Sequence, residues 1–461
     1  MKNHSVRLYK NISKREFWDS INSNLWFTPL LYVLFAVVLA AVTLYIDIKL
    51  KLGYEASPFF SINYELTNSI VSTVTAGILT LMTFTFNSIL VVFTTFSGQF
   101  SPRVLKNFIA NKGTQRVLGI FNGSFFCVLG CFLYQNSEDV AHYIAVPYTA
   151  AFLTALCAGT FVFFINHAVG WLQVNNMTSA MKKESVDIIK NSLETELEPY
   201  RVLNPAIVQE QIREDQGYSI MASKSGYLQL VGFTQLIEEA RKDDILIKLE
   251  YKVGDYVYES TPLLTYWTNE SDIDEKKYQN LLRIGERQTE VQDLEFSLNK
   301  FVEVALRALG DNDPKTASNT IYQIGDLLVY ISNIAKFTPY LVDEEKKLRL
   351  IIQNMDFNDY LYTGFANIRH YGRDNVVITV ELLNTLRLMA KAASRHHHDD
   401  IWEFALYIAH GFENYFLFEL DQSRFYRALY DLAAVTGKKR EYDKRINRKK
   451  NTFKANLNSP V

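Results

Sequence analysis

The chain has 461 residues, with 48 Lys and Arg against 50 Asp and Glu and a formal net charge of -2. That balance excludes a dedicated nucleic-acid binder, which needs a basic excess. Cys127, Cys131 and Cys157 all lie in apolar stretches, so neither a disulfide framework nor a zinc-ligand spacing is present.

Residues 1–25 form a short polar segment carrying Lys2, Arg7, Lys10, Lys14 and Arg15. Trp26 to Ile46 is the first apolar stretch. It is too long for the h-region of a cleaved signal, and no small-residue cleavage site follows it, so it is expected to remain as an anchor.

The second stretch, Thr67 to Phe100, is unusual. No charged residue occurs from Asn68 to Gln99, yet hydroxyls and amides are spread throughout. As a single helix it would be about 50 Å long, against a hydrocarbon core of roughly 30 Å. It must therefore tilt, break near Gly77 or Gly98, or extend beyond the membrane. Thr73, Thr80, Asn87 and Thr94 recur every seven residues and lie close to one helix face. Gly77 and Thr83 fall near that face. These six residues are the candidate lining of a polar path for ions or small polar solutes, with no fixed charge to set strong selectivity. The competing expectation is that small and polar residues hold helices together.

Phe100-Ser101-Pro102-Arg103 follows. Ser101 can cap a new helix with Pro102 at its first position, and Arg103 would sit at headgroup level. Such a helix start suits an anion or a lipid head group, or simply a bend. Val117 to Tyr134 and Tyr143 to Trp171 are the third and fourth spans. His167, near the end of the fourth, is a candidate proton or ligand site. Arg103, Lys106, Lys112 and Arg116 lie between spans two and three, and Lys182 and Lys183 follow span four. The loop between spans three and four has no Lys or Arg. The positive-inside rule then places both termini in the cytoplasm. Asp47 counts with Lys49, Lys51, Glu55 and Glu65 in a mixed outer loop. Trp26, Tyr45, Tyr64, Tyr134, Tyr143 and Trp171 are expected as interfacial aromatics.

Residues 26–181 thus form a four-helix transmembrane domain, and 182–217 a helical linker broken at Asn204-Pro205. Residues 218–268 are expected as a small β-rich module. Gly226 to Val231 is strand-like, Thr234 to Lys242 a short helix, and Ile245 to Val253 alternates with period two. After the Gly254-Asp255 turn, Tyr256 to Trp267 returns as one strand. The Val253 to Leu263 stretch resembles one hairpin of a biotinyl/lipoyl-type module but has no lysine turn to carry a cofactor. No cofactor is expected.

Residues 269–437 are expected as a helical bundle. Asp293 caps a helix from Leu294 to Leu309, ended by Gly310. Asn312-Asp313-Pro314 restarts a helix, with Asp313 as cap and Pro314 first. Asn312, Asp313 and Thr316 are candidate ligand-binding residues at that helix start. Further helices are expected at Phe357 to Tyr371, Val376 to Ala393, Ile401 to Phe418 and Ser423 to Thr436. His396-His397-His398 cannot all face one ion, so they are expected at a helix C-terminus, with Asp399 or Asp400 capping the next helix, and no metal is assigned. Residues 438–461 are a basic tail suited to anionic lipid.

Several local patterns occur together in this order. Gly98-Gln99-Phe100-Ser101-Pro102-Arg103-Val104-Leu105 is followed by Gly113-Thr114-Gln115 and Leu118-Gly119. Later come Gly226-Tyr227-Leu228-Gln229, Gly254-Asp255, Gln292-Asp293 with Phe296, and Asn312-Asp313-Pro314-Lys315-Thr316-Ala317. This set resembles the bacterial predicted-membrane-protein family called domain of unknown function 2254. Gly310-Asp311 departs from the Ser-Pro typical of that family. The resemblance implies a bacterial integral membrane protein and implies no activity.

No Walker A loop, Gly-x-Ser-x-Gly, His-Glu-x-x-His or kinase motif occurs, and an enzyme is not expected. The expectation is an inner-membrane homo-oligomer, channel-like, with a regulatory cytoplasmic domain. The alternative is a membrane-anchored sensor or scaffold with no transport activity.

Overall fold

The computed structural model describes residues 26–55, 59–99, 111–136, 140–172, 174–203, 217–268, 273–289, 292–353, 355–412 and 418–445. Ser101, Arg103, the Asn204-Pro205 break and most of the basic tail lie outside them. The chain divides into two units, Ser13–Met177 and a second that holds Thr178–Val461.

In the first unit, four helices are long and apolar enough to cross a membrane. They are α1 (Phe27–Ile48), α2 (Tyr64–Gln99), α3 (Lys112–Tyr134) and α4 (Ala145–Leu172). The second is continuous through Gly77 and Gly98, so its excess length is not taken up by a break. α3 is the most buried of the four. It packs chiefly against α1, and α2 packs against α4 and α3. Gly119 and Gly123 permit the α1–α3 approach. A Cβ on Gly119 would lie 2.7 Å from the Tyr32 ring, and one on Gly123 would lie 3.1 Å from the Tyr32 carbonyl oxygen. Small residues four apart admit close helix packing in lipid, where van der Waals contact replaces the hydrophobic effect.

At one end, β1 (Ile62–Asn63) and β2 (His142–Tyr143) pair antiparallel and tie the two loops together. Tyr143 is fully buried rather than interfacial. Its hydroxyl donates to the Asn136 carbonyl at 2.9 Å and accepts from the Asn136 N–H at 3.1 Å. Trp26, Tyr45 and Tyr134 are exposed as an interfacial position requires.

In the second unit, α5 (Val174–Ile189) gives way to a π-helical segment, Lys190–Leu197. The strands form two sheets. The larger has the order β3 (Tyr218–Met221), β7 (Pro262–Trp267), β5 (Leu246–Leu249), β10 (Leu348–Ile351), β9 (Tyr340–Val342). The smaller has the order β6 (Tyr256–Val257), β4 (Gly226–Val231), β8 (Leu282–Gly285). Tyr256 to Trp267 is therefore two strands in two sheets, not one strand of a hairpin. The chain turns between them through Ser260, which adopts φ +62°. β5 also pairs in parallel with β10, about a hundred residues later. Arg349 on β10 is buried because Asp343 and Asp244 receive its guanidinium at 2.7 and 2.8 Å.

The helices follow the sequence closely. After α6 (Phe233–Lys242) and the short α7 (Glu275–Gln279) come α8 (Leu294–Gly310) and α9 (Pro314–Ile334). Asp293 and Asp313 cap these by accepting from the Phe296 and Thr316 N–H groups at 2.8 and 3.0 Å. α10 (Phe357–Tyr371), α11 (Val376–Ala392), α12 (His398–Phe412) and α13 (Glu419–Thr436) complete the bundle. Ala317, Ile321, Ile324, Leu328 and Ile331 form one buried stripe of α9. The three histidines do not end a helix. Arg395–His397 is a 3-10 turn leading into α12, and His397 Nδ1 lies 3.0 Å from Asp400.

Candidate functional site

The polar stripe of α2 faces away from its own bundle. Val71, Ile78, Thr85 and Val92 are buried at seven-residue spacing. Thr73, Thr80, Asn87 and Thr94 have the same spacing two positions later, roughly 200° around the helix, and all four are exposed, as are Gly77 and Thr83. A Cβ on Gly77 would meet nothing within 4 Å. Among the described residues of one chain, then, these positions do not hold helices together.

Three of the four threonine hydroxyls are locally satisfied. Thr80, Thr83 and Thr94 donate to the carbonyls of Ala76, Leu79 and Val91, each at 2.9 Å. Their oxygens keep free lone pairs, so the stripe offers acceptors outward. The Asn87 carboxamide makes no hydrogen bond to a described residue. Exposed Leu79, Phe86 and Leu90 lie beside the stripe, while exposed Leu66, Phe84 and Val91 fall within its arc, between Thr73 and Gly77.

Elsewhere in this unit, His167 is half-buried, stacks on Phe163 and has Nε2 3.4 Å from the Thr114 hydroxyl. Thr28 donates to Gln115 at 2.7 Å, and Gln135 donates to Asn68 at 2.6 Å. Asp47, a loop charge by its sequence position, is a constrained polar group of this unit. Asp47 is fully buried near the end of α1. One carboxylate oxygen accepts from the Ile144 and Ala145 N–H groups at 3.1 and 2.9 Å, and the other from Val146 at 2.8 Å. It thereby caps the start of α4. An acidic residue at the end of an apolar helix was the available signal, but its partner lies about a hundred residues away.

In the second unit, Asn312, Asp313 and Thr316 make a helix start and nothing more extensive. Asn312 adopts φ +57°, a left-handed conformation that asparagine tolerates, and Asp313 is held below the usual carboxylate range by hydrogen bonds from Thr316. None of the three lines the cavity described below. One cavity in this unit is a partly open cleft with about 90 Å³ of water-accessible space. Its polar wall includes Arg201, Lys252, Gln292, Asp293, Glu295 and Tyr360. Three sequence patterns noted separately converge here. The Gly254 N–H donates to the Leu228 carbonyl at 2.8 Å. Gln292 accepts from the Val231 N–H at 2.9 Å, at the end of β4. Gly254, at φ +97°, lies against the Asp293 carboxylate so closely that any Cβ there would collide with it. Burial pushes the Asp293 carboxyl up to about 7, partly opposed by the Phe296 N–H and Lys252.

Residues 22–388 match the model of a family described as predicted membrane protein (DUF2254). Uncharacterized proteins of Mycobacterium bovis and Mycobacterium tuberculosis are each 24% identical over 407 residues, covering 84% of this chain and 76% of theirs. No solved structure matches the chain.

Proposed function

The chain belongs to the DUF2254 family of predicted membrane proteins, and from that premise we propose that it is a homo-oligomeric, channel-like transporter of the bacterial inner membrane. Both termini lie in the cytoplasm, as the basic residues flanking the spans require. The observation that carries this reading is the outward exposure of five polar residues and Gly77 on α2.

Lipid tails offer the Asn87 amide no hydrogen-bond partner, and each unsatisfied group costs several kcal/mol there. A ring of copies resolves this by turning the stripes toward a shared axis, where water enters. The oxygens of Thr80, Thr83 and Thr94, with their protons committed to the helix, solvate cations better than anions. The flanking Leu79 and Phe86 would then face lipid or a neighbouring copy.

Cysteine accessibility tests this placement. Cysteines at positions 73, 80, 87 and 94 are expected to react with a membrane-impermeant thiol reagent, while those at 79 and 86 stay protected. Equal protection at all six positions would contradict a water-filled path. The anchored-sensor reading draws support from a different observation, the cavity of the second unit, and predicts no flux at all.

A further inference from the structure

We propose that the cavity of the second unit binds a small organic molecule, neutral or singly cationic, with an apolar body, an N–H donor and an oxygen acceptor. This does not depend on whether α2 conducts.

The cleft has about 90 Å³ of water-accessible space, room for several water molecules or the polar end of a small ligand. Leu249, Phe337 and Ile352 supply apolar wall. Against it stand buried polar groups that the fold leaves incomplete. Arg201 is nearly fully buried, yet among the described residues only its Nη1 is engaged, donating to Glu198 at 2.9 Å. Its Nε is buried without a partner. The Tyr360 side chain is 9% exposed, and its hydroxyl makes no hydrogen bond to a described residue. Asp293 is 3% exposed. One of its oxygens receives the Phe296 N–H, and the other has no donor among the described residues. Buried polar groups in native structures are nearly always paired, so the unpartnered Arg201 Nε, beside the Tyr360 hydroxyl and the second Asp293 oxygen in the same wall, points to a ligand.

Charge then selects the ligand. Arg201 is already paired with Glu198, and Lys252 with Glu295 at 2.6 Å. The wall acid left without a basic partner is Asp293, and its carboxylate form, which grows as pH rises through about 7, disfavours an anion. An N–H of the ligand meets Asp293, and a carbonyl or hydroxyl oxygen meets Arg201 and Tyr360. The π-helical segment contributes Ser192, Leu193 and Leu197 to the wall. Such segments are rare and occur often at functional sites.

The test uses full-length protein in lipid nanodiscs and three probes sharing one phenyl body: phenethylamine, phenylacetamide and phenylacetate. Saturation-transfer NMR reads their binding against empty nanodiscs. The amine and amide should receive saturation, with the carboxylate about tenfold weaker. Asp293→Asn should weaken the amine about tenfold relative to the amide, the size of a lost charge-assisted contact. The amide signal shows that the variant is folded. Should that variant not fold, Tyr360→Phe serves, and it should lower the amide signal. No transfer to any probe above empty nanodiscs, strongest transfer to phenylacetate, or variants with unchanged ratios would overturn the proposal.

Discussion

Replacing Asp47 by alanine is expected to lower the melting temperature of the purified protein by more than about 10 °C, or to prevent recovery of folded protein. The carboxylate receives three backbone N–H groups at the start of α4, at distances from 2.8 to 3.1 Å. Alanine leaves all three without that acceptor, one of them buried and two partly buried. Each orphaned donor costs about 1–3 kcal/mol, so the sum is on the order of 5 kcal/mol. Asp47→Asn should be intermediate. Its amide oxygen replaces one acceptor, but its NH₂ then faces the N–H of another residue. Melting followed by fluorescence-detected size exclusion gives the order wild type, Asn, Ala. An alanine variant as stable as wild type would show that the cap contributes nothing.

Asp293→Asn is expected to act in the opposite direction. Burial holds the folded Asp293 carboxyl near 7, above its ordinary value of 3.8, while Lys252 lowers it and Glu295 and Asp255 raise it. A raised acid favours the protonated form in the folded state. Its contribution to stability is therefore present below the ordinary value and is lost as pH rises through about 7. Asparagine keeps the capping oxygen for the Phe296 N–H and never ionises. The variant should gain stability over wild type by roughly 3 kcal/mol between about pH 5 and about pH 8. Melting curves across that range check it. A difference independent of pH would mean that Asp293 does not titrate there. Keeping a destabilising ionisable group in a cavity wall is a common cost of a functional site.

Features set by local chemistry were readable from the residues alone. The four spans follow from apolar length, and the starts of α8 and α9 follow from Asp293, Asp313 and Pro314, each confirmed by its capping bond. Features set by distant pairing were not. Strand β10 is four residues long and carries Arg349, which reads as exposed until Asp343 and Asp244 are brought to it. Tyr256 to Trp267 alternates like one strand, yet its two halves pair with β4 and β5 in separate sheets. The candidate sites divide in the same way. The seven-residue spacing on α2 identified the stripe, but which way it faced required the packing of Val71 and Ile78. The cavity was present in the sequence only as unconnected fragments around Gly254, Gln292 and Asp293. Their convergence is tertiary.

The central claim is a conduit lined by α2. Its most direct test is cation flux into liposomes containing the purified protein, wild type beside Thr80→Leu/Asn87→Leu. Both substitutions fall on exposed positions, so the fold of each copy should be unchanged, and flux is compared between proteins of the same oligomeric state. The account predicts potassium flux through wild type, with weaker chloride flux, and its loss in the double variant. Equal flux in the two proteins, or none through correctly folded wild type at either sign of voltage, would contradict it.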